Sequence, residues 1–230
     1  MSLSFTTAVA LEYVICIHKE SNGIIYYVTA PRVEVDPSFL ESFKKSMESS
    51  EIELPGAVGD ITQTSVKGKY AVIRSGRFEY VMVLLNKTPD HSTREALHTF
   101  GIKFSSLWAR ELKTLYTELN GDVNIFKQRN TMGGNVDDLV EECFHLSMAM
   151  PHKLGTPAEK IKGFTKTVWN LAEELARGKQ YILLGELLAI CKERTDKGEP
   201  AISAEIFGLT QKAMLIPVKE KKLTKDLYDV

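Results

Sequence analysis

No apolar run in this 230-residue chain is long enough to cross a membrane. The longest, Tyr181 to Cys191, is interrupted by Glu186 and falls well short of the roughly 20 residues that a spanning helix needs. The N-terminus lacks the basic segment ahead of an apolar stretch that marks a secretory signal, so Asn86-Lys-Thr, although it matches the glycosylation pattern, is read as chance. Cysteine is scarce. Cys16, Cys143 and Cys191 are odd in number, far apart and each set in an apolar run, which favours small buried residues in a reducing compartment over a disulfide or metal role. Charge of one sign is missing too: 29 Lys and Arg face 30 Asp and Glu. Split at His152 the balance is 15 against 19 before and 14 against 11 after, too even to attract a polyanion. A soluble, cytoplasmic protein is expected.

The patterns that carry chemistry are missing as well. There is no Gly-x4-Gly-Lys-Ser/Thr to cradle a phosphate and no Gly-x-Ser-x-Gly elbow, and neither Cys16 nor Cys143 has a recognisable base partner. Met132-Gly-Gly-Asn135 opens a helix where an anion could sit, but a connection capped by Asn135 explains it better. His18, His91, His98, His145 and His152 show no metal-ligand spacing. Glu141, Glu142 and His145 come nearest, and they read as a solvated helix face. No catalytic, cofactor-binding or metal residue is assigned, and the chain is read as a non-enzyme without a cofactor.

What the sequence does contain is a scaffold. Lys69 to Gly76 and Arg77 to Asn86 are rich in β-branched and aromatic residues and read as paired strands with a turn at Ser75-Gly76. Ser92-Thr-Arg-Glu95 has the form of a capping box. From it Leu97, Phe100, Phe104, Leu107, Trp108, Leu112, Leu115 and Leu119 recur on one face of a long helix, which must bury itself against a sheet. Upstream, Val9 to His18 and Ile24 to Thr29 form a hairpin about Ser21-Asn-Gly23. Asp36 then caps a helix with Pro37 at its first position and Phe39, Leu40, Phe43 and Met47 inward. Residues 49–59 read as a loop and Asp60 to Val66 as a third strand. After Leu119, Asn120 to Phe126 turns the chain. Asn135 then caps a helix with Asp137 and Asp138 in its first turn and Leu139, Val140, Cys143 and Phe144 inward. The expected fold class is α+β, a five-stranded antiparallel sheet covered by helices in the order ββαβββαα, over residues 1–152.

Pro151 to Pro157 marks a boundary, and 153–230 reads as a helical region. Thr156-Pro-Ala-Glu159 is a second capping box, opening a helix with Ile161, Phe164, Val168, Leu171 and Leu175 on one face until Gly178. Ile182 to Cys191 is apolar nearly all round, and its helix should be buried on several sides. Ser203 caps a helix to about Ala213, and Leu215 to Val218 forms a short strand, so a winged-helix-like arrangement is an alternative for this region. The basic tail Lys219-Glu-Lys-Lys222 with Lys225 reads as a solvated terminus, leaving a peripheral membrane contact open.

Three stretches carry a family resemblance: Tyr80-Val-Met-Val-Leu-Leu; Arg94-Glu-Ala-Leu-His-Thr-Phe-Gly-Ile-Lys-Phe; and Gly121-Asp-Val-Asn-Ile-Phe ahead of Asp137-Asp-Leu-Val-Glu-Glu-Cys-Phe. Together with the element order they resemble a longin domain over roughly residues 5 to 150. This is the profilin-like fold of R-SNARE regulatory domains, small adaptin chains, transport-particle subunits and the signal recognition particle receptor alpha subunit. The chain looks like archaeal longin-type relatives of eukaryotic trafficking components. The related roadblock fold places a helix before its first strand, and none is evident here. The resemblance implies a non-enzymatic adaptor or regulator in membrane-trafficking-like processes, binding a small GTPase or a longin- or roadblock-type protein through sheet edge or helices, with homodimerisation open. It transfers no functional residue, and without a SNARE heptad or membrane anchor it does not imply SNARE activity. The rival reading is a transcription regulator with an N-terminal sensor domain and a C-terminal winged helix. Its candidate recognition helix, Ala204 to Ala213, holds Lys212 as its only basic residue, too few for nucleic acid.

Overall fold

The computed structural model describes residues 4–30, 33, 37–49, 51–130, 134–157 and 161–218. The chain divides into two compact units, 1–146 and 147–230. The first is built on a five-stranded antiparallel sheet of β1 (Leu11–His18), β2 (Ile24–Thr29), β3 (Ile61–Val66), β4 (Lys69–Ser75) and β5 (Glu79–Leu85), in spatial order β2, β1, β5, β4, β3. Side chains alternate between faces. Tyr13, Ile15 and Ile17 of β1, Ile73 of β4 and Met82 of β5 therefore share one face. That face is covered by α2 (Pro37–Glu48) through Phe39, Phe43 and Met47. Tyr13 stacks on Phe39 with ring centroids 5.1 Å apart. Asp36, expected as the cap of this helix, lies outside the described residues.

The other face is covered by α3 (His91–Leu107), α4 (Ala109–Thr114) and α5 (Val136–Phe144), with a 3-10 turn over Val123–Lys127. The aromatic stripe read from the sequence is the seam of this layer. Phe104 sits 5.6 Å from Phe100, 5.3 Å from Trp108 and 5.9 Å from Phe126, and Phe100 sits 5.2 Å from Phe144, all five fully buried. Rings of this size each contribute about 1.5–3 kcal/mol by leaving water. Asn135 caps α5 as expected, accepting from the Asp137 amide at 2.8 Å, with Leu139, Val140, Cys143 and Phe144 buried.

Several expectations for this unit need correction. The cap of α3 is Asp90, not Ser92. Its carboxylate accepts from the Thr93 amide at 3.0 Å, and Thr93 Oγ1 accepts in return from the Asp90 amide at 3.3 Å. Glu95 instead faces His91 at 3.4 Å. The long helix is bent where Trp108 leaves helical geometry (φ −117°, ψ 25°), and it ends at Thr114 rather than Leu119. There Asn120 and Gly121 take left-handed φ values and the Gly121 amide donates back to the Leu115 carbonyl at 2.7 Å. A single helical turn, α1 (Phe5–Ala8), precedes β1 where the sequence reading places no helix. Its four residues have no periodicity for a pattern to register.

The second unit holds β6 (Pro151–Leu154), α6 (Gly163–Ala176), β7 (Ile182–Leu183), α7 (Leu184–Arg194), α8 (Glu199–Gln211) and β8 (Leu215–Pro217). Its antiparallel sheet runs β7, β6, β8, so the segment read as a Pro-rich boundary supplies the central strand. Thr156-Pro-Ala-Glu159 does not open the next helix. Thr156 and Pro157 lie in no helix or strand and α6 starts at Gly163, with 158–160 outside the described residues. Ser203 lies inside α8, which begins earlier because Pro200 suits its first turn. The run Ile182 to Cys191 is not one helix apolar all round: its first two residues pair with β6, and Gly185, Glu186 and Ala189 face solvent. Leu184, Leu187, Leu188 and Cys191 turn inward, where α6 and α8 of the same unit pack on α7.

Candidate interaction surface at the sheet edge

The two edges of the first sheet are unequal. At β2 the register against β1 shifts between Cys16 and Ile17, the 3-10 turn packs against the strand, and Tyr26 donates to Asp137 of α5 at 2.5 Å. Bulges and covering elements of this kind blunt an edge. At β3, Ile61-Thr-Gln-Thr-Ser-Val66 has no charge, no proline and an unbroken register against β4. Among the described residues no strand and no backbone hydrogen bond lies on its outer side. The half of its backbone N–H and C=O groups that the β4 ladder does not use point outward and form a template for another strand.

Beside this edge runs α3. Ile61, Gln63 and Ser65 pair across the ladder with Arg74, Val72 and Tyr70, which places them on the face that α3 covers. Arg94 Nη2 donates to Gln63 Oε1 at 3.2 Å, fixing one end of the helix against the strand. Farther along, Gly101 lies on Arg74, the cross-strand partner of Ile61, so the two elements run side by side. The outward stripe of α3 is His91, Arg94, His98 and Ile102, with Ile102 51% exposed although large and apolar. A shallow hollow of about 350 Å³ lined by Arg94, Glu95, His98 and Thr99 opens on the same helix. The surface thus offers backbone pairing along β3 and a mixed apolar and charged helical flank.

Residues that no motif pointed to hold this alignment. Glu79 of β5 is fully buried, accepting from Ser105 of α3 and from the Phe78 amide at 3.2 Å, while burial pushes its carboxyl above the usual range. Arg74 is 4% exposed, with burial pulling its guanidinium down and Glu79 opposing that shift. Gly76 leaves room for the Glu79 carboxylate, and a Cβ on Gly101 would come within 2.9 Å of Arg74 Nη1, Cδ and Cζ. A glycine inside a helix face and an arginine inside a strand each look like local defects in sequence. Only their juxtaposition explains both.

The positions weighed for chemistry in the sequence are not assembled. Cys16, Cys143 and Cys191 are buried free thiols in different elements; burial pushes Cys16 well up, and Cys143 and Cys191 to about 11, so they are protonated at neutral pH. Glu142 pairs with Lys103 of α3, and His145 ends α5 in a left-handed conformation, its amide donating to the Glu141 carbonyl at 3.0 Å. The start of α5 is occupied by the Asn135 cap, and Asp137 and Asp138 oppose an anion there; residues 131–133 lie outside the described residues. Among the described residues no group of His, Cys, Asp and Glu could hold a metal ion, and no helix is long and apolar enough to cross a membrane. The basic tail from Lys219 lies outside the described residues. Comparison with known protein families and with curated proteins finds no match to this chain.

Proposed function

We propose that the protein is a non-enzymatic interaction module, an adaptor or regulator that docks a small GTPase or a longin- or roadblock-type subunit in a membrane-trafficking-like process. The observation that carries this reading is the uncharged, unpaired edge of β3 flanked by the exposed stripe of α3. Strand addition at such an edge gives affinity through the main chain and specificity through the flanking helix. Further support comes from the element order, two strands, a helix and then three strands, which is the order that the longin resemblance leads one to expect.

The transcription-regulator reading gains nothing from the second unit. Between Glu199 and Gln211, α8 carries Glu199 and Glu205 and no basic residue, and it presents Ala201 and Ala204 outward. A helix entering the major groove needs cations for phosphates and donors for base edges.

The test is capture from native lysate of the source organism, comparing the wild-type chain with Gln63→Lys/Ser65→Lys, which charges the β3 edge without touching the core. A GTPase or longin- or roadblock-type protein retained by the wild type and lost with the variant is the expected result. Retention of such a partner by both would move the docking surface elsewhere. Salt-sensitive binding to DNA that requires residues 147–230 would overturn the function.

A further inference from the structure

A groove of about 270 Å³ opens between α4 and the segment that follows the 3-10 turn, remote from the β3 edge. It has the volume of about nine waters, suited to a small metabolite rather than a nucleotide. Trp108, Leu119 and Ile125 line its apolar part. Trp108 is fully buried, yet its indole Nε1 has no hydrogen-bond partner among the described residues. Buried indole N–H groups ordinarily find an acceptor.

The rim is charged, and the charges are not all used. Arg110 and Glu118 approach to 4.0 Å and offset each other. Glu111 and Arg129, which also line the groove, have no ion-pair partner among the described residues. One unmatched charge of each sign decides the ligand class. A simple anion would meet Arg129 but be repelled by Glu111, and a simple cation would meet the reverse. A zwitterion satisfies both, and Leu119 with Ile125 accommodates a short aliphatic group.

We propose that this groove binds a small aliphatic α-amino acid, its carboxylate on Arg129, its ammonium on Glu111 and its side chain against Leu119 and Ile125. Trp108 is closed off from solvent, so binding parts the side chains above it and brings an acceptor to its N–H. Indole emission therefore reports occupancy.

The experiment is isothermal titration of the full chain with L-leucine, alongside isocaproate, which lacks the ammonium, and isoamylamine, which lacks the carboxylate. Saturable binding of L-leucine with a change in tryptophan emission is expected, with both analogues roughly ten-fold weaker or worse. Arg129→Ala, at an exposed position, and Glu111→Gln, an isosteric change at a half-buried one, should each weaken L-leucine by about ten-fold or more while leaving the melting temperature unchanged. No heat up to about 10 mM, affinity undiminished in either variant, or isocaproate binding as well as L-leucine would overturn the proposal. Because Gln63 and Ser65 are not part of the groove, its outcome is independent of the β3 capture experiment.

Discussion

His152 is 1% exposed in the central strand of the second unit, its Nδ1 2.8 Å from the Met150 carbonyl. Burial outweighs that hydrogen bond and lowers its pKa from 6.5 to about 4. The folded chain therefore refuses a proton that the unfolded chain accepts. Stability from this group is complete above about pH 6.5 and drains away as pH falls towards 4. At about 1.4 kcal/mol per unit the loss approaches roughly 3 kcal/mol, a large share of what a small unit has. Urea unfolding followed by Trp169 emission, in a Trp108→Phe background, should show the second unit weakening across that window. His152→Asn, which keeps a donor for Met150 but cannot titrate there, should flatten the response; an unchanged pH profile would mean that another group is responsible. In the sequence, His152 read as one of five unremarkable histidines at a boundary. Its burial follows from pairing with Ile182 and Pro217, about 30 and 65 residues away, which no local pattern encodes.

At the scale of elements, legibility follows periodicity. The strands from Ile24 to Thr29 and from Lys69 onward, the α2 face and the Phe100-Phe104-Trp108 seam were readable because their apolar spacing is long and regular. The ends were not, because capping depends on which of several competing acceptors wins. Asp90, Ser92 and Thr93 are all cap residue types. Ser92 with Glu95 has the form of a capping box, yet Asp90 takes the position and also accepts from Ser4 Oγ at 2.7 Å and Thr7 Oγ1 at 2.8 Å, tying α1 to the start of α3. Burial by itself would raise this carboxyl. The donors from Ser92, Ser4, Thr7 and the Thr93 amide outweigh it and hold the group well below the usual carboxylate range. Asp90→Ala should accordingly cost about 1–2 kcal/mol or more, since it removes the cap and the clasp on α1 together. Ser92→Ala should cost only a few tenths to about 1 kcal/mol. Thermal unfolding of the two variants distinguishes the caps: equal losses would return the role to Ser92. The β3 edge was legible as a strand but not as an edge, because its exposure depends on spatial order and that is set by the pairing of β1 with β5 across some 65 intervening residues.

The whole molecule divides where the strands do. Every strand of the five-stranded sheet lies before residue 147 and every strand of the smaller sheet lies after it. A cut between Leu146 and Ser147 therefore breaks no ladder. A cut at the boundary read from composition, between His152 and Lys153, passes through β6. Among the described residues that strand is the only link in its sheet: β7 pairs with Pro151 and His152, β8 pairs with His152, Lys153 and Leu154, and β7 and β8 are not neighbours. Proline and glycine near 151–157 signalled a change of element, but they could not reveal that one residue of the signal, Pro151, starts a strand; proline is tolerated at that first position. Two C-terminal fragments follow as a test. Residues 147–230 should show dispersed amide spectra and cooperative unfolding, because they keep β6 between its neighbours over the α6, α7 and α8 core. Residues 153–230 lose the β7 pairing and the buried His152 at once. They should show collapsed dispersion or a transition lower by about 2 kcal/mol or more, as expected when a buried strand is half removed from a unit of this size. Equal folding of the two fragments would mean that the helices alone define the second unit and that β6 is only laid upon it.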